Sequence, residues 1–189
     1  MRLAEINLVV PKDRVGVLIG PDGGVKKRIE TELQVDIAID SSVGSVKIVE
    51  KSGAGAINIL KAKEVVTAIA HGFSPEKSFK LFDEDRIIDI IDLRQIFGRN
   101  ESQTSRIKGR IIGREGKSRR LIEEALGVSV SVYGHTVSLI GGFETAGIAR
   151  EALQMLIDGK QHASVFKFLR VKQAELKKKS KTELWQKPV

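Results

Sequence analysis

Two short stretches of the chain carry glycines at a spacing suited to holding a phosphodiester backbone: Gly20-Pro21-Asp22-Gly23 and Gly113-Arg114-Glu115-Gly116. Glycines flanking two residues let the main chain adopt angles that a β-carbon forbids, and let a sugar-phosphate chain approach it closely. A helix starting directly after such a turn points its free amides and positive dipole end at the same phosphates. The two turns differ in charge. The second lies among Arg106, Lys108, Arg110, Arg114, Lys117, Arg119 and Arg120, whereas the first holds Asp22 between its glycines and only Lys26 and Lys27 shortly after it. Spacing excludes nucleotide-cofactor loops. An ATPase-type loop ending Gly116-Lys117-Ser118 needs glycine where Ile111 stands, and a dinucleotide fingerprint ending at Gly116 needs it there and at Gly113 together.

Other chemistries find little support. With no cysteine there is no disulfide framework, thiol nucleophile or thiolate zinc site. The three histidines, His71, His135 and His162, are scattered singly, and His135 reads as a hairpin-turn residue. Asp83-Glu84-Asp85 with Asp89 and Asp92 reads as a solvated acidic junction rather than a metal site. Glu30 and Glu123 read as intrahelical partners of Lys26 and Arg119. No nucleophile, base and oxyanion donors converge in a motif, so the expectation is a binding protein, not an enzyme, with no metal and no cofactor. Aromatic stacking platforms are scarce, at seven Phe, one Tyr and one Trp, and Tyr133 is the aromatic best placed to test.

The positive charge is local. The 189 residues carry a formal +8, but residues 1–92 hold 13 basic and 15 acidic side chains, 93–159 hold 10 and 7, and 160–189 hold 9 and 2. Arg94 to Arg120 alone contributes nine basic residues against Glu101 and Glu115. The tail around Lys177, Lys178, Lys179 and Lys181 reads as a solvated helix end or a polyanion-binding arm. An apolar fraction of 41% with 30% charged residues suits one or two small globular domains. No apolar run approaches the roughly 20 residues that span a bilayer, and Glu5 and Asn7 interrupt any signal-peptide core, so the expectation is a cytoplasmic protein without membrane contact.

The elements that position the turns follow from an internal repeat. Shifting the chain by 93 residues places Val17–Ile39 on Arg110–Val132 with seven of 23 pairs identical, among them both turn glycines and Glu30/Glu123. The first copy predicts a strand over Leu3–Val10, ended by Pro11, a short helix over Lys12–Ile19, the glycine turn, and a second helix striped by Val25, Ile29 and Leu33. Strands Val35–Asp40 and Ser45–Glu50 follow, then a helix whose apolar stripe is Ile57, Leu60, Val65 and Ile69. The second copy predicts Arg86–Asp92, Gln103–Ile112, Lys117–Leu126, Val128–Tyr133, Thr136–Ile140 and Glu144–Ile157, with a last basic helix over 163–179.

The order strand, helix, glycine turn, helix, strand, strand, helix, with Leu18-Ile19 and Ile111-Ile112 just before the turns, resembles the KH domain of the eukaryotic arrangement, twice over. The implied fold is α+β: two type I KH domains, 1–84 and 85–159, each a three-stranded antiparallel sheet with helices on one face, plus a basic helix and tail over 160–189. Arg106 through Gly113, Leu121-Ile122-Glu123, Leu139 through Phe143 and Ala149 through Ala152 together resemble the ribosome-assembly group called Dim-two or partner-of-Nob-one, in its archaeal form. The resemblance implies binding of single-stranded RNA near the 3′ end of small-subunit rRNA, as an adaptor for an assembly nuclease and a methyltransferase. The expected contacts are Gly113, Arg114, Glu115, Gly116, Lys117, Arg106, Lys108, Arg110, Ile112, Arg119 and Arg120, with Gly20, Pro21, Asp22, Gly23, Lys26 and Lys27 as a secondary set. The alternative is a protein-interaction scaffold with little direct RNA binding, favoured for the first copy by Asp22.

Overall fold

A computed structural model describes residues 4–51 and 55–185. The chain divides into two compact units, Met1–Ile88 and Asp89–Val189. The first holds β1 (Glu5–Val9), α1 (Lys12–Ile19), α2 (Gly24–Leu33), β2 (Val35–Asp40), β3 (Ser45–Glu50), α3 (Ala56–Ala70) and α4 (Pro75–Ser78). After β4 (Arg86–Asp92), within which the division falls, come α5 (Leu93–Phe97), α6 (Glu101–Ile112), α7 (Lys117–Leu126), β5 (Ser129–Tyr133), β6 (Thr136–Gly142), α8 (Phe143–Ile157) and α9 (His162–Trp185). The sheets run β1-β3-β2 and β4-β6-β5, both antiparallel, so the last strand of each repeat sits in the middle. This is the expected α+β class.

The repeat builds equivalent cores. Alternation in β2 turns Val35 and Ile37 inward, paired with Glu50 and Ile48 of β3, against Leu18 of α1 and Ile29 and Leu33 of α2. In the second unit Val130 and Leu139 face Ile107 and Ile111 of α6 and Ile122 and Leu126 of α7. Burying each such side chain is worth roughly 1.5–3 kcal/mol. Of the stripe expected on α3, Val65 and Ile69 are buried, while Ile57 and Leu60 need correction. Ile57 and Leu60 are 66% and 54% exposed, because the buried face runs through Ile59, Ala62, Val66 and Ile69 at helical spacing, nearly opposite them. Helix α9, read from sequence as a region of its own, packs through Val165 and Leu169 against α7 and α8 and forms part of the second unit.

Three elements went unread in the sequence: α4, the 3₁₀ turn Phe79–Phe82 and α5. The acidic junction is also more structured than a solvated linker. Asp83 pairs with Arg86 at 3.3 Å, Asp89 in β4 pairs with Arg150 of α8, and Asp92 caps α5 by accepting from the Arg94 amide at 2.8 Å.

One tie recurs in both units. Glu30 and Glu123 form the expected ion pairs, Lys26–Glu30 and Arg119–Glu123, each at 3.7 Å. Each also accepts a backbone amide at 2.8 Å, Ile37 N–H to Glu30 Oε1 and Val130 N–H to Glu123 Oε1. These amides belong to the edge strands β2 and β5, so a carboxylate from the preceding helix satisfies an edge donor and fixes that helix to the sheet. Glu123→Ala is expected to lower stability in urea unfolding by about 1–3 kcal/mol, because it strands a half-buried donor. Glu123→Gln, which keeps an acceptor oxygen, should lose less. Equal losses would show that the carboxylate charge, not the strand amide, is what matters.

Candidate nucleic-acid interface

The two glycine turns have the same backbone. Gly20 has φ 72, ψ 174 and Gly113 φ 71, ψ 176, a combination open essentially to glycine alone. Gly23 and Gly116 follow at φ 73, ψ 13 and φ 76, ψ 12. Between them Asp22 and Glu115 are left-handed at φ 51 and φ 53, each a strained conformation for an L-residue. The glycines in a turn do different work. A Cβ on Gly20 or Gly113 would lie 2.9 Å from the backbone nitrogen of Val25 or Ser118, so the first glycine lets the two helices meet. A Cβ on Gly23 or Gly116 would meet nothing within 4 Å, so the second faces open space where a ligand can approach. Neither α2 nor α7 has a side-chain cap, and the first amide of each, Gly24 or Lys117, donates to the Pro21 or Arg114 carbonyl within the turn.

Around the second turn, the residues expected at the site fall on two faces of α6. Lys108 and Ile112, four apart, share one face, and the Lys108 ammonium donates to the Gly134 carbonyl in the β5–β6 hairpin at 2.9 Å. A cavity of about 600 Å³ opens on that side, lined by Arg94, Arg99, Ser105, Lys108 and the turn residues Gly134 and His135. Sequence reasoning did not assign Arg94, Arg99 or Ser105 to the site, although Arg94 and Arg99 stand in the counted basic cluster. The loop after α5 carries Arg99 into place, and that helix was unread. Arg106, Gly109, Arg110 and Gly113 form the other stripe and line a second cavity of about 530 Å³ with Arg114, Lys117 and the first turn of α9.

The cations are not equally available. Arg110 donates from Nε to Leu156 O at 3.3 Å and from Nη2 to Lys160 O at 2.6 Å, closing the C-terminus of α8. In the first unit Arg14 does the same for α3, to Ile69 O at 2.9 Å and Phe73 O at 2.5 Å. Arg119 is engaged by Glu123. Among the described residues Arg106, Arg114, Lys117 and Arg120 have no protein acceptor, and all four are exposed. The first turn is poorer. Pro21 and Asp22 are exposed, Lys26 is paired with Glu30, and Arg28 lies 4.4 Å from the centre of the Phe79 ring, leaving Lys27 as the nearby exposed cation. Tyr133, at the end of β5, is half-buried beside Thr136. Among the described residues no group of three His, Asp or Glu side chains could hold a metal ion, and no helix is long and apolar enough to cross a membrane.

Residues 5–68 match the family described as KH domain, and residues 87–174 that described as eukaryotic type KH-domain, type I. A KH domain-containing protein of Methanocaldococcus jannaschii is 44% identical over 181 residues, which cover 95% of this chain and 78% of that protein. The pre-rRNA-processing protein PNO1 of Chaetomium thermophilum is 33% identical over 120 residues, 61% of this chain and 46% of that protein. Among solved structures, an a/eIF2alpha-aDim2p-rRNA complex from Pyrococcus horikoshii contains a chain 40% identical to this one, with a TM-score of 0.86 over 92% of this chain and 96% of that one.

The division of labour within the turn is testable by alanine. Gly113→Ala is expected to cost about 1–3 kcal/mol from backbone strain alone, with the clash against Ser118 adding to it. Gly116→Ala should cost only about 1–2 kcal/mol. Urea midpoints of the two variants measure the difference, and a larger loss at Gly116 would overturn the assignment.

Proposed function

The chain belongs to the KH-domain proteins, as a two-domain member related to PNO1 and archaeal Dim2, and on that premise we propose that it clamps single-stranded small-subunit rRNA near its 3′ end through the second glycine turn. It is an RNA-binding protein of ribosome assembly. The observation that carries the finer reading is the asymmetry between turns of identical backbone: four unpaired cations surround the second, one of them, Arg114, within it where the first has Pro21. A KH loop holds about four nucleotides, with bases entering an apolar groove. Here Lys108 and Ile112 flank that groove on the hairpin side, while Arg114, Lys117 and Arg120 take the phosphates. Bound in this way, the RNA 3′ region would be held out for an end-processing nuclease and a methyltransferase, with the protein as adaptor rather than catalyst. For the first unit a second reading has support. A turn whose carboxylate no neighbouring arginine offsets, together with engaged cations, suits contact with a protein better than with RNA, and the Pyrococcus complex includes a/eIF2alpha beside aDim2p and rRNA.

Fluorescence anisotropy with a labelled single strand of the small-subunit rRNA 3′ end checks the assignment. Neutralising about three or four phosphates gives a salt slope of about −2 to −3, so affinity should fall roughly 20- to 50-fold between 50 and 200 mM salt. Arg114→Glu with Lys117→Glu should abolish binding, and Gly23→Asp should leave it nearly unchanged. Greater damage from the change in the first turn would make unit one the clamp. Tight, salt-independent binding would remove phosphate contact as its basis.

A further inference from the structure

The second cavity of unit two lies outside the groove between α6 and the hairpin, yet Gly113, Arg114 and Lys117 of the glycine turn form one of its walls. Its opposite wall is the first turn of α9, where His162 and Phe166 sit with ring centres 6.0 Å apart and planes inclined by 59°. His162 is held in place by a 2.9 Å hydrogen bond between its Nε2 and the Arg110 carbonyl. No acidic residue lines the cavity. Phe166 is only half-buried, because the packing of α9 on α7 and α8 uses the neighbouring positions Val165 and Leu169. An aromatic ring left partly open among unpaired cations and beside a phosphate-binding turn is the arrangement on which an unstacked base rests.

The face of α9 that carries Phe166 continues this chemistry. Arg170, Gln173 and Lys177 follow Phe166 at i+4, i+7 and i+11, and so lie in line with it along the helix. At about 1.5 Å per residue, Arg170 and Lys177 stand about 6 and 16 Å beyond the ring. Both are exposed and have no protein acceptor among the described residues. Two cations on other faces of the same helix are engaged: Lys172 donates to Glu175 at 2.9 Å, which raises its pKa, and Lys179 bonds to Glu144 of α8 at 2.9 Å. The unpaired charges of α9 thus lie on the helix face of Phe166, whose ring shares its cavity with Arg114 and Lys117.

We propose that RNA leaving the glycine clamp crosses onto α9, one base lodging against Phe166 and His162 and the following phosphates passing Arg170 and Lys177. The clamp and the basic helix then form one continuous track. This rests on the RNA-clamp reading above, and deepens it by naming where the strand goes.

The test compares a four-nucleotide single strand from the small-subunit rRNA 3′ end with the same strand lengthened by four nucleotides, at its 5′ end in one probe and at its 3′ end in another. The full-length protein should bind one lengthened probe about tenfold more tightly than the short one, as expected for one added stack. Phe166→Ala should remove that gain and leave the short strand's affinity within about twofold, the loss being confined to the stacking contact. Arg170→Glu with Lys177→Glu, both exposed and thus safe for folding, should flatten the salt dependence for the lengthened probe by about one slope unit and leave the short probe's slope unchanged. Equal affinity of the wild-type protein for all three probes overturns the track. So does an equal loss on short and long strands in Arg170→Glu/Lys177→Glu. If no probe binds, the clamp reading itself falls, and the track with it.

Discussion

The first glycine of each turn sets the geometry of its unit. At φ near +71° and ψ near 175° the chain leaves one helix and enters the next within four residues, and the absence of a Cβ lets Val25 or Ser118 pack directly on the turn. The close approach of α6 to α7 brings Ile111 and Ile122 into one core under the sheet. It also starts α7 without a side-chain cap, the Lys117 amide donating to the Arg114 carbonyl within the turn. The strain at Glu115, a bulky residue in the left-handed region, is held by the helices on either side. Backbone strain of this kind persists where its surroundings over-determine it, and it clusters at binding sites.

Duplication has preserved this scaffold more faithfully than the ligand face. The skeleton ties recur: an arginine on α1 or α6 closes the long helix that follows the sheet, α3 or α8, and Glu30 or Glu123 holds an edge-strand amide. The arginines are not even at matching positions, since Arg14 stands six residues before its glycine and Arg110 three, one helical turn apart. What is kept is the contact, a guanidinium on the terminal carbonyls, rather than the aligned residue. The turns keep their angles to within a few degrees while exchanging Pro21-Asp22 for Arg114-Glu115.

Much of the fold was legible because two periodicities and one repeat agreed. Lys12–Ile19, Val35–Asp40, Ser45–Glu50 and Lys117–Leu126 have the boundaries read from sequence. What escaped were short elements with no apolar period to announce them. Helices α4 and α5 span four and five residues, and only their caps, Ser74-Pro75 and Asp92, signal them. On α3 the stripe slipped, because Ile57 and Leu60 are apolar yet lie away from the buried face, and helical spacing alone does not say which face is covered. At the site, the glycines and the charge imbalance were readable. The sorting of α6 cations onto two faces was not, because Arg110 and Lys108 are drawn to backbone carbonyls of α8 and the hairpin, partners remote in sequence.

That sorting changes what the net charge means. A cation bonded to a protein carbonyl is held in place by that bond and has only its remaining N–H donors for a phosphate, so Lys108 and Arg110 are less free to follow one than the unpaired cations are. A surface pair such as Lys26–Glu30 is weak enough to open at little cost. Opening it frees Lys26 but does not remove Glu30, whose Oε1 still accepts from the Ile37 amide, so a carboxylate remains beside any phosphate Lys26 could reach. Glu123 is anchored in the same way in the second unit. The anchored glutamates therefore cancel between the units, and the contrast reduces to the two residues inside each turn and the unpaired cations after it. Arg114 and Lys117 stand where the strained backbone already opens to a ligand, and the first unit offers Pro21 and an uncharged Gly24 at the corresponding positions.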